Sequence, residues 1–329
     1  MDNINVFIRK KREGENSMEM LMDQYKQILP QLNVCVLPAY STSLYGIYKN
    51  IRFVLKNKAK YNWIYSIGDG YLSLFLKNTT ITIHDLDSIE NLNLFSKLFL
   101  QILCILIPAI KKNKYHCISD YTRNKFLKYL PFKKKNTFVI YNPVNPIYMS
   151  DKNKYLSEGK FYNNKITILQ IGTGIRKNLE SLIEAVSQLD NINLLIVGKL
   201  STLQMKLLSD LNIKYENYVD IDNPTIKNLY NRADIISFPS NCEGFGMIII
   251  EANAMGKPVI AGDIPVLHEI GQNAALYVIP GCVTDLKDKI IQLSKNKELR
   301  KKMIKAGYDN VKRFNLEQLS YQLYDKIKE

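Results

Sequence analysis

The stretch Ser237–Ala261, SFPSNCEGFGMIIIEANAMGKPVIA, carries the strongest local signal in the chain. It predicts a strand that ends near Pro239, a loop that contains Gly244 and Gly246, and a following apolar helix. The free N–H groups at a helix N-terminus stabilise an anion. We therefore predict an anion-binding loop between a strand and a helix, which is the repeating unit of a parallel α/β sheet.

Two carboxylates bracket this glycine loop. Glu243 lies in the loop, and Glu251 interrupts the otherwise apolar run MIIIEANA. A carboxylate inside an apolar run must be paired or must face a cleft. A solvated glutamate or a helix cap is the ordinary alternative for each residue alone. The two residues together favour a ligand site.

A second glycine turn lies in QIGTGIRKNLESLIEAV, residues 170–186. Gly172 and Gly174 fit a dinucleotide-binding turn, but Lys177 occupies the third glycine position. Arg176 and Lys177 at a helix start oppose the helix dipole, and a bound anion would relieve that cost. A solvated basic turn is the alternative interpretation.

A third signal is His84-Asp85-Leu86-Asp87, which follows the predicted strand Thr80–Ile83. Ligands bind at the carboxyl ends of strands in open α/β sheets, so His84 is a candidate for ligand contact or proton transfer. A structural histidine is the competing interpretation. The D-x-D patterns Asp85–Asp87 and Asp220–Asp222 indicate a divalent metal only weakly.

Strand and helix patterns alternate through both halves of the chain, which predicts two doubly wound parallel sheets. The polar segment Pro146–Gly159 suits a linker. We therefore predict one domain over residues 1–150 and a second over 151–313. A helix at about 314–329 is expected to pack back on the first domain.

The chain has 329 residues and a formal net charge of +14, which suits two domains with sizeable cores. Residues 1–150 carry 21 basic and 10 acidic side chains, whereas residues 151–329 carry 24 and 21. The basic first half attracts nucleic acid, a membrane surface or an acidic substrate. Five scattered cysteines exclude a disulfide framework, and MDNINVFIRKK is not a secretory leader, so a cytoplasmic location is expected.

The run Leu98–Ile110, LFLQILCILIPAI, raises a membrane question. It is too short for a span, which needs about 20 apolar residues. A buried core helix is the favoured interpretation, and a helix lying at a membrane interface is the alternative.

These motifs resemble the glycosyltransferases of family 4, a group 1 family with the GT-B fold. The E-x7-E pair Glu243 and Glu251 is similar to the family's donor-site signature, and GTGIRKN (172–178) also resembles it. The resemblance further includes ISDYTRNKFLKYL…VIYNPVN (118–145) and His84-Asp85. The matching motifs are closely spaced over residues 165–275 and sparse before residue 60. It implies two Rossmann-like domains that face each other across a cleft.

The resemblance also implies roles for individual residues. Lys177, beside Arg176, would neutralise a donor diphosphate, Glu243 would hydrogen-bond the donor sugar, and Glu251 would hold ribose hydroxyls. The implied donor-binding set is Gly14, Gly172, Arg176, Lys177, Glu243, Gly244, Phe245, Gly246, Met247, Ile248 and Glu251. The implied catalytic set is His84, Asp85 and Glu243. Thr173 departs from the family, which often has arginine there.

The implied reaction moves a sugar from a nucleotide-diphosphate sugar to a glycan or lipid-linked glycan, with retention of configuration and without a metal or other cofactor. Synthesis of surface polysaccharide such as lipopolysaccharide is the expected setting. A nucleotide-sugar epimerase and a non-catalytic binding protein of the same fold are the alternatives. Binding of nucleic acid is a third, but no nucleic-acid motif is present.

Two basic clusters lie in the predicted acceptor domain. One runs from Lys49 to Lys60, and the other holds nine basic residues between Lys111 and Lys135. They favour an anionic membrane surface over nucleic acid, and therefore a peripheral position on the inner face of the cell membrane. A solvated surface is the alternative for each cluster.

Overall fold

A computed structural model describes residues 3–10, 17–41, 43–86, 94–149 and 165–329. The chain folds into two compact units. The first comprises Met1–Pro143 and Leu316–Glu329, and the second comprises Val144–Asn315. The predicted loop residue Gly14 lies outside the described residues, as does Asp87.

The first unit is built on a six-stranded parallel sheet with the order β2-β1-β3-β4-β5-β6. Its strands are β1 (Ile4–Ile8), β2 (Leu32–Val36), β3 (Tyr61–Ile64), β4 (Thr79–Ile83), β5 (Lys114–Cys117) and β6 (Thr137–Val139). Its helices are α1 (Ser17–Ile28), α2 (Leu44–Lys56), α3 (Leu94–Gln101) and α4 (Asp120–Tyr129), joined by α12 (Leu316–Lys328). Helix α3 continues into a π-helical turn (Ile102–Leu106) and a last turn (Ile107–Ala109).

The two faces of this sheet have separate cores. On one face, α1 and α12 cover strand residues that include Val6 and Trp63. On the other face, α2 and the helix over 94–109 cover residues that include Phe7 and Ile81. Both faces of a parallel sheet are buried, so its strands are apolar nearly throughout.

The second unit is a six-stranded parallel sheet with the order β12-β11-β10-β7-β8-β9. Its strands are β7 (Ile166–Ile171), β8 (Ile192–Val197), β9 (Tyr215–Tyr218), β10 (Ile235–Phe238), β11 (Val259–Gly262) and β12 (Leu276–Val278). Its helices are α5 (Leu179–Val186), α6 (Thr202–Asp210), α7 (Asn223–Arg232), α8 (Met247–Ala254), α9 (Pro265–Gly271), α10 (Val283–Lys295) and α11 (Lys297–Val311). The prediction of two doubly wound parallel sheets is confirmed.

The boundary between the two units lies earlier in the chain than the polar segment Pro146–Gly159, which was predicted to be the linker. The short turn Pro146–Tyr148 belongs to the second unit, because the Tyr148 hydroxyl donates to Asn223 Oδ1 at 3.2 Å and its ring meets Tyr230 edge-on. The first unit ends at Pro143, a few residues before the predicted division at 150/151. Beyond this turn, residues 150–164 lie outside the described residues.

The strand order of the second unit reverses between β7 and β10, which lie side by side. Crossovers leave such a pair in opposite directions, so a crevice opens at their carboxyl ends. The loops that follow β7 and β10 are the two glycine loops singled out in the sequence. The topology therefore brings together two motifs that lie about 70 residues apart in the chain.

Candidate active site

The two glycine loops of the second unit are joined by hydrogen bonds at the strand ends. The Asn241 N–H donates to the Arg176 carbonyl at 3.0 Å, and the Asn178 side chain donates to the Pro239 carbonyl at 3.3 Å. Buried Gln170, on β7, donates to the Lys177 carbonyl at 3.1 Å. The backbone around Lys177 is thus fixed from three sides.

Lys177 and Glu243 form the centre of the site. Lys177 Nζ lies 2.6 Å from Glu243 Oε1, and the same oxygen accepts a hydrogen bond of 2.7 Å from Ser240. The ammonium also lies 4.8 Å from the centre of the Phe238 ring, within reach of a cation–π interaction. A half-buried cation held by these two groups keeps its position without reorganising.

Glu251 lies one turn into α8, and its carboxylate Oε2 accepts a hydrogen bond of 2.9 Å from the Tyr230 hydroxyl. Burial raises the pKa of Glu251 to about 7, while the Tyr230 hydrogen bond and the positive charge of Lys177 lower it. Lys177 is therefore close enough to act electrostatically on both carboxylates of the E-x7-E pair.

Helix α8 begins at Gly246, which has a φ of 115°, and no side chain caps its N-terminus. A Cβ on Gly246 would lie 2.8 Å from Leu267 Cδ2, so only glycine fits there. Phe245 is buried and meets Phe314 edge-on at 5.9 Å. Its side chain belongs to the core, which leaves the backbone of 244–248 to face a ligand.

Thr173 occupies the position where the resembling family often has arginine. Its hydroxyl donates to the Lys199 carbonyl at 2.6 Å, and its carbonyl accepts from Gln204 at 2.7 Å. Arg176 is exposed, whereas Lys177 is half-buried beside Glu243. The geometry thus makes Lys177 the principal cation of this loop.

His84 and Asp85 lie in the first unit, at the end of β4. His84 Nε2 lies 2.8 Å from the Tyr65 carbonyl, and a carbonyl only accepts, so Nε2 carries the proton. Burial, together with the charge of Arg9, lowers the pKa of His84 to about 4, although the Tyr65 hydrogen bond and the charge of Asp85 raise it. At neutral pH this imidazole is uncharged and offers Nδ1 as a hydrogen-bond acceptor.

A cavity of about 280 Å³, also in the first unit, was not anticipated from the sequence. It lies at the carboxyl ends of β1 and β2, and its lining includes Lys10, Lys49, Tyr40 and Tyr45. Buried Asn50 holds its wall by exchanging two hydrogen bonds with Ala39, at 3.0 and 3.1 Å. The cavity is cationic and aromatic.

Ser240, Phe238, Tyr230 and Tyr148 complete the arrangement in the second unit, and none of them was identified in the sequence. Ser240 could have been found, because it lies three residues before Glu243 in the same loop. The two tyrosines come from distant segments, and no local pattern connects them with Glu251. Asp222 caps α7 by accepting from the Thr225 N–H at 3.0 Å, so a weak metal motif has a structural role.

Comparisons with known proteins show which families and folds the chain is similar to. Residues 151–310 match the family model of the group 1 glycosyl transferases. The chain is 33% identical over 214 residues to the O-antigen chain mannosyltransferase RfbU of Salmonella typhimurium. That match covers 62% of this chain and 58% of RfbU, so the chain spans little more than half of this relative. The match to the group 1 glycosyl transferase model thus lies entirely within the second unit.

Solved structures share the fold over almost the whole chain. WaaG, a glycosyltransferase involved in lipopolysaccharide biosynthesis, has a TM-score of 0.76 at 14% identity and covers 98% of this chain and 99% of its own. Anabaena Alr3699/HepE in complex with UDP and glucose has a TM-score of 0.77 at 15% identity, with 100% of both chains covered. The fold is therefore GT-B.

Proposed function

We propose that the chain is a glycosyltransferase that transfers a sugar from a nucleotide-diphosphate sugar to a glycan or lipid-linked glycan. The observation that carries the proposal is the position of Lys177, bonded to Glu243 and electrostatically coupled to Glu251 at the switch point of the second sheet. The Lys177 cation suits a diphosphate. The two glutamates on either side of it suit the hydroxyls of the sugar and of the ribose, which flank the diphosphate in such a donor.

The proposed mechanism follows from the charges. Breaking the bond from sugar to diphosphate creates an oxocarbenium-like carbon and a departing dianion. Lys177 and the uncapped N–H groups at the start of α8 would stabilise that dianion. Glu243 would bind a sugar hydroxyl. In this proposal the protein's own fixed charges stabilise the leaving group without a metal, and configuration is retained, as in the resembling family 4.

The acceptor is assigned to the first unit. We propose that the cavity lined by Lys10, Lys49, Tyr40 and Tyr45 binds an anionic glycan or lipid-linked glycan, because the lysines attract the anion and sugars stack on tyrosine rings. His84, neutral and with Nδ1 as an acceptor, would take a hydrogen bond from a sugar or acceptor hydroxyl. The related mannosyltransferase supports surface polysaccharide as the setting and a mannosyl donor as the first to test.

Transfer assays with a panel of nucleotide sugars test the proposal. We expect Lys177→Met and Glu243→Gln each to reduce transfer by roughly 10²–10³-fold, the usual cost of one preorganised charged contact. Both variants should unfold at the wild-type temperature. Lys206→Met, at an exposed lysine of α6, removes the same charge away from the site and should keep full activity.

Full activity in either site variant would contradict the assignment. A changed nucleotide sugar formed without any acceptor would instead favour an epimerase. Nucleotide-sugar binding with no turnover on any acceptor would favour a non-catalytic protein of the same fold.

A further inference from the structure

The helix over 94–109 carries an exposed apolar ridge, defined here as Leu98, Phe99, Ile102, Leu106 and Ile110. These side chains are between 42% and 78% exposed. The opposite side of the same helix, which includes Cys104, Ile105 and Ala109, is buried in the core of the first unit. The predicted buried core helix is therefore buried on one side only, and its other side is exposed.

A π-helical turn over Ile102–Leu106 keeps the ridge straight. In an α-helix, residues four apart drift by about 40° around the axis. The wider i→i+5 turn rotates less for each residue and offsets this drift. Leu98, Ile102, Leu106 and Ile110, which are four apart, thus stay aligned along one side.

Helix α2 lies on the same face of the sheet as the ridge. Partly buried residues of both helices, such as Ile51 and Leu103, pack against one core. The segment Ile67–Phe75 contacts both helices, and its Leu74 and Phe75 are also exposed. The outer side of α2 presents Leu44, Tyr45 and Tyr48 together with Lys49, Arg52 and Lys56. The apolar strip of the ridge and the cationic strip of α2 therefore lie on one face of the sheet, and the segment 67–75 contacts both helices.

The cations around the ridge must be separated into structural and exposed ones. Lys111 donates from Nζ to the Ser73 and Leu74 carbonyls, at 3.1 and 3.2 Å, and to the Leu76 carbonyl, and buried Lys133 donates to the Lys111 carbonyl at 2.8 Å. These two lysines hold the fold together and are not available to a partner. The exposed cations of this region are Lys49, Arg52, Lys56, Lys112, Lys134 and Lys135.

The sequence of α2 contains no acidic residue, and Asp120 is the one acidic residue between Lys112 and Lys135. The chain contains no Asp or Glu over 24–68 or over 91–119. A second copy of the chain would bring two cationic borders together, which is unfavourable. Aliphatic side chains dominate the ridge and offer no platform for stacked bases. An anionic bilayer matches both strips, because its interface accepts apolar side chains and its headgroups attract lysine and arginine.

We propose that the apolar ridge inserts into the interface of an anionic lipid bilayer while the exposed cations Arg52 and Lys56 of α2, together with Lys112, Lys134 and Lys135, contact lipid phosphates. Within the described residues no helix is long and apolar enough to cross a membrane, so the ridge lies along the surface. The proposal depends on the first unit alone and deepens the proposed function by bringing a lipid-linked acceptor within reach.

Cosedimentation of the full chain with vesicles tests the proposal. Vesicles of phosphatidylcholine with 30% phosphatidylglycerol should bind the wild type, whereas pure phosphatidylcholine should bind at least 10-fold less. We expect Leu106→Ser with Ile110→Ser to weaken binding to anionic vesicles at least 10-fold. Leu203→Ser with Ile279→Ser, at exposed apolar positions of the second unit, is the matched control and should bind like the wild type.

A second set of variants, which reverses charges, distinguishes insertion of apolar side chains from electrostatic adsorption of the protein. Lys134→Glu with Lys135→Glu should weaken binding several-fold and flatten its dependence on salt, because fewer lipid phosphates are contacted. Lys301→Glu with Lys305→Glu on α11 should leave both unchanged. Wild-type binding in the ridge variant would overturn the proposal, as would a wild-type dimer that the ridge variant converts to monomer without any vesicle binding.

The same samples keep this inference separate from the proposed function. Nucleotide-induced thermal shifts should be equal in the wild type and in the ridge variant, because the donor loops lie in the second unit. A protein that binds anionic vesicles but transfers no sugar would refute the proposed function and leave the membrane surface standing. A protein that transfers sugar but does not bind anionic vesicles would refute only the membrane surface.

Discussion

Gly172 and Gly174 lie in one loop, but only the second position has room and a suitable backbone for a side chain. Gly172 has a φ of 96°, and a Cβ there would lie 3.0 Å from Lys177 Cγ. Gly174 has an ordinary backbone conformation, and no atom lies within 4 Å of the position a Cβ would take. The first glycine makes room for the stem of the central lysine, and the second has no such role.

This contrast gives a prediction for a matched pair of variants. Gly172→Ala should displace Lys177 and strain the backbone by about 1–3 kcal/mol, so that transfer and nucleotide binding both fall at least 10-fold. Gly174→Ala should leave both within twofold. Calorimetric titration with nucleotides measures the effect, and equal binding by the two variants would show that the lysine does not depend on this turn.

At this scale the sequence predicted the groups that lie within one loop or one helix turn. Lys177, Glu243 and Glu251 stand out because each breaks a local pattern. The hydrogen bond from Tyr230 to Glu251 and the ring of Phe238 beneath Lys177 were missed. These contacts depend on the order of the strands, and no spacing in the chain encodes them.

At the scale of elements, α12 is a component of the first unit although it follows the second unit in the chain. Its Leu319, Leu323 and Ile327 enter the core with Ile4 and Tyr25. The sequence analysis predicted a helix at about 314–329 that packs back on the first domain. It did not identify the strands β5, β9 and β12, because KYHC and YENY are polar and LYV is very short.

Leu323→Ala tests the contribution of this helix. Leu323 is 1% exposed, and truncating a buried leucine costs about 2–5 kcal/mol. We expect the thermal transition of the first unit to fall while nucleotide binding by the second unit is retained. Gln322→Ala, at the exposed neighbour, should change the free energy of unfolding by no more than about 0.5 kcal/mol. A loss of nucleotide binding in Leu323→Ala would contradict this division.

For the whole molecule, the two units should respond to pH in opposite directions. Burial lowers the pKa of both His84 and His116 to about 4, below the ordinary 6.5. The unfolded first unit therefore binds more protons than the folded one, and its stability falls as pH drops from 6.5 toward 4. Glu251 has a raised pKa of about 7, so the folded second unit binds the extra proton and gains stability as pH drops from 7 toward 4.5.

Differential scanning calorimetry between pH 7 and pH 5 measures both effects. The transition of the first unit should move down and that of the second unit should move up, with each pKa unit contributing on the order of 1.4 kcal/mol. Glu251→Gln should abolish the response of the second unit and leave that of the first. Parallel movement of the two transitions would contradict the assignment.

The return of α12 to the first unit also affects the order in which the molecule is completed during translation. The ribosome makes β1, α1 and β3 early, but residues 316–328, which cover them, emerge only after the entire second unit. Domains fold as units while the chain is being made. The second unit can therefore finish folding first, while the apolar face around Val6 and Trp63 is covered by α1 but not yet by α12. Chaperones that shield nascent apolar surface should engage this chain chiefly through that face.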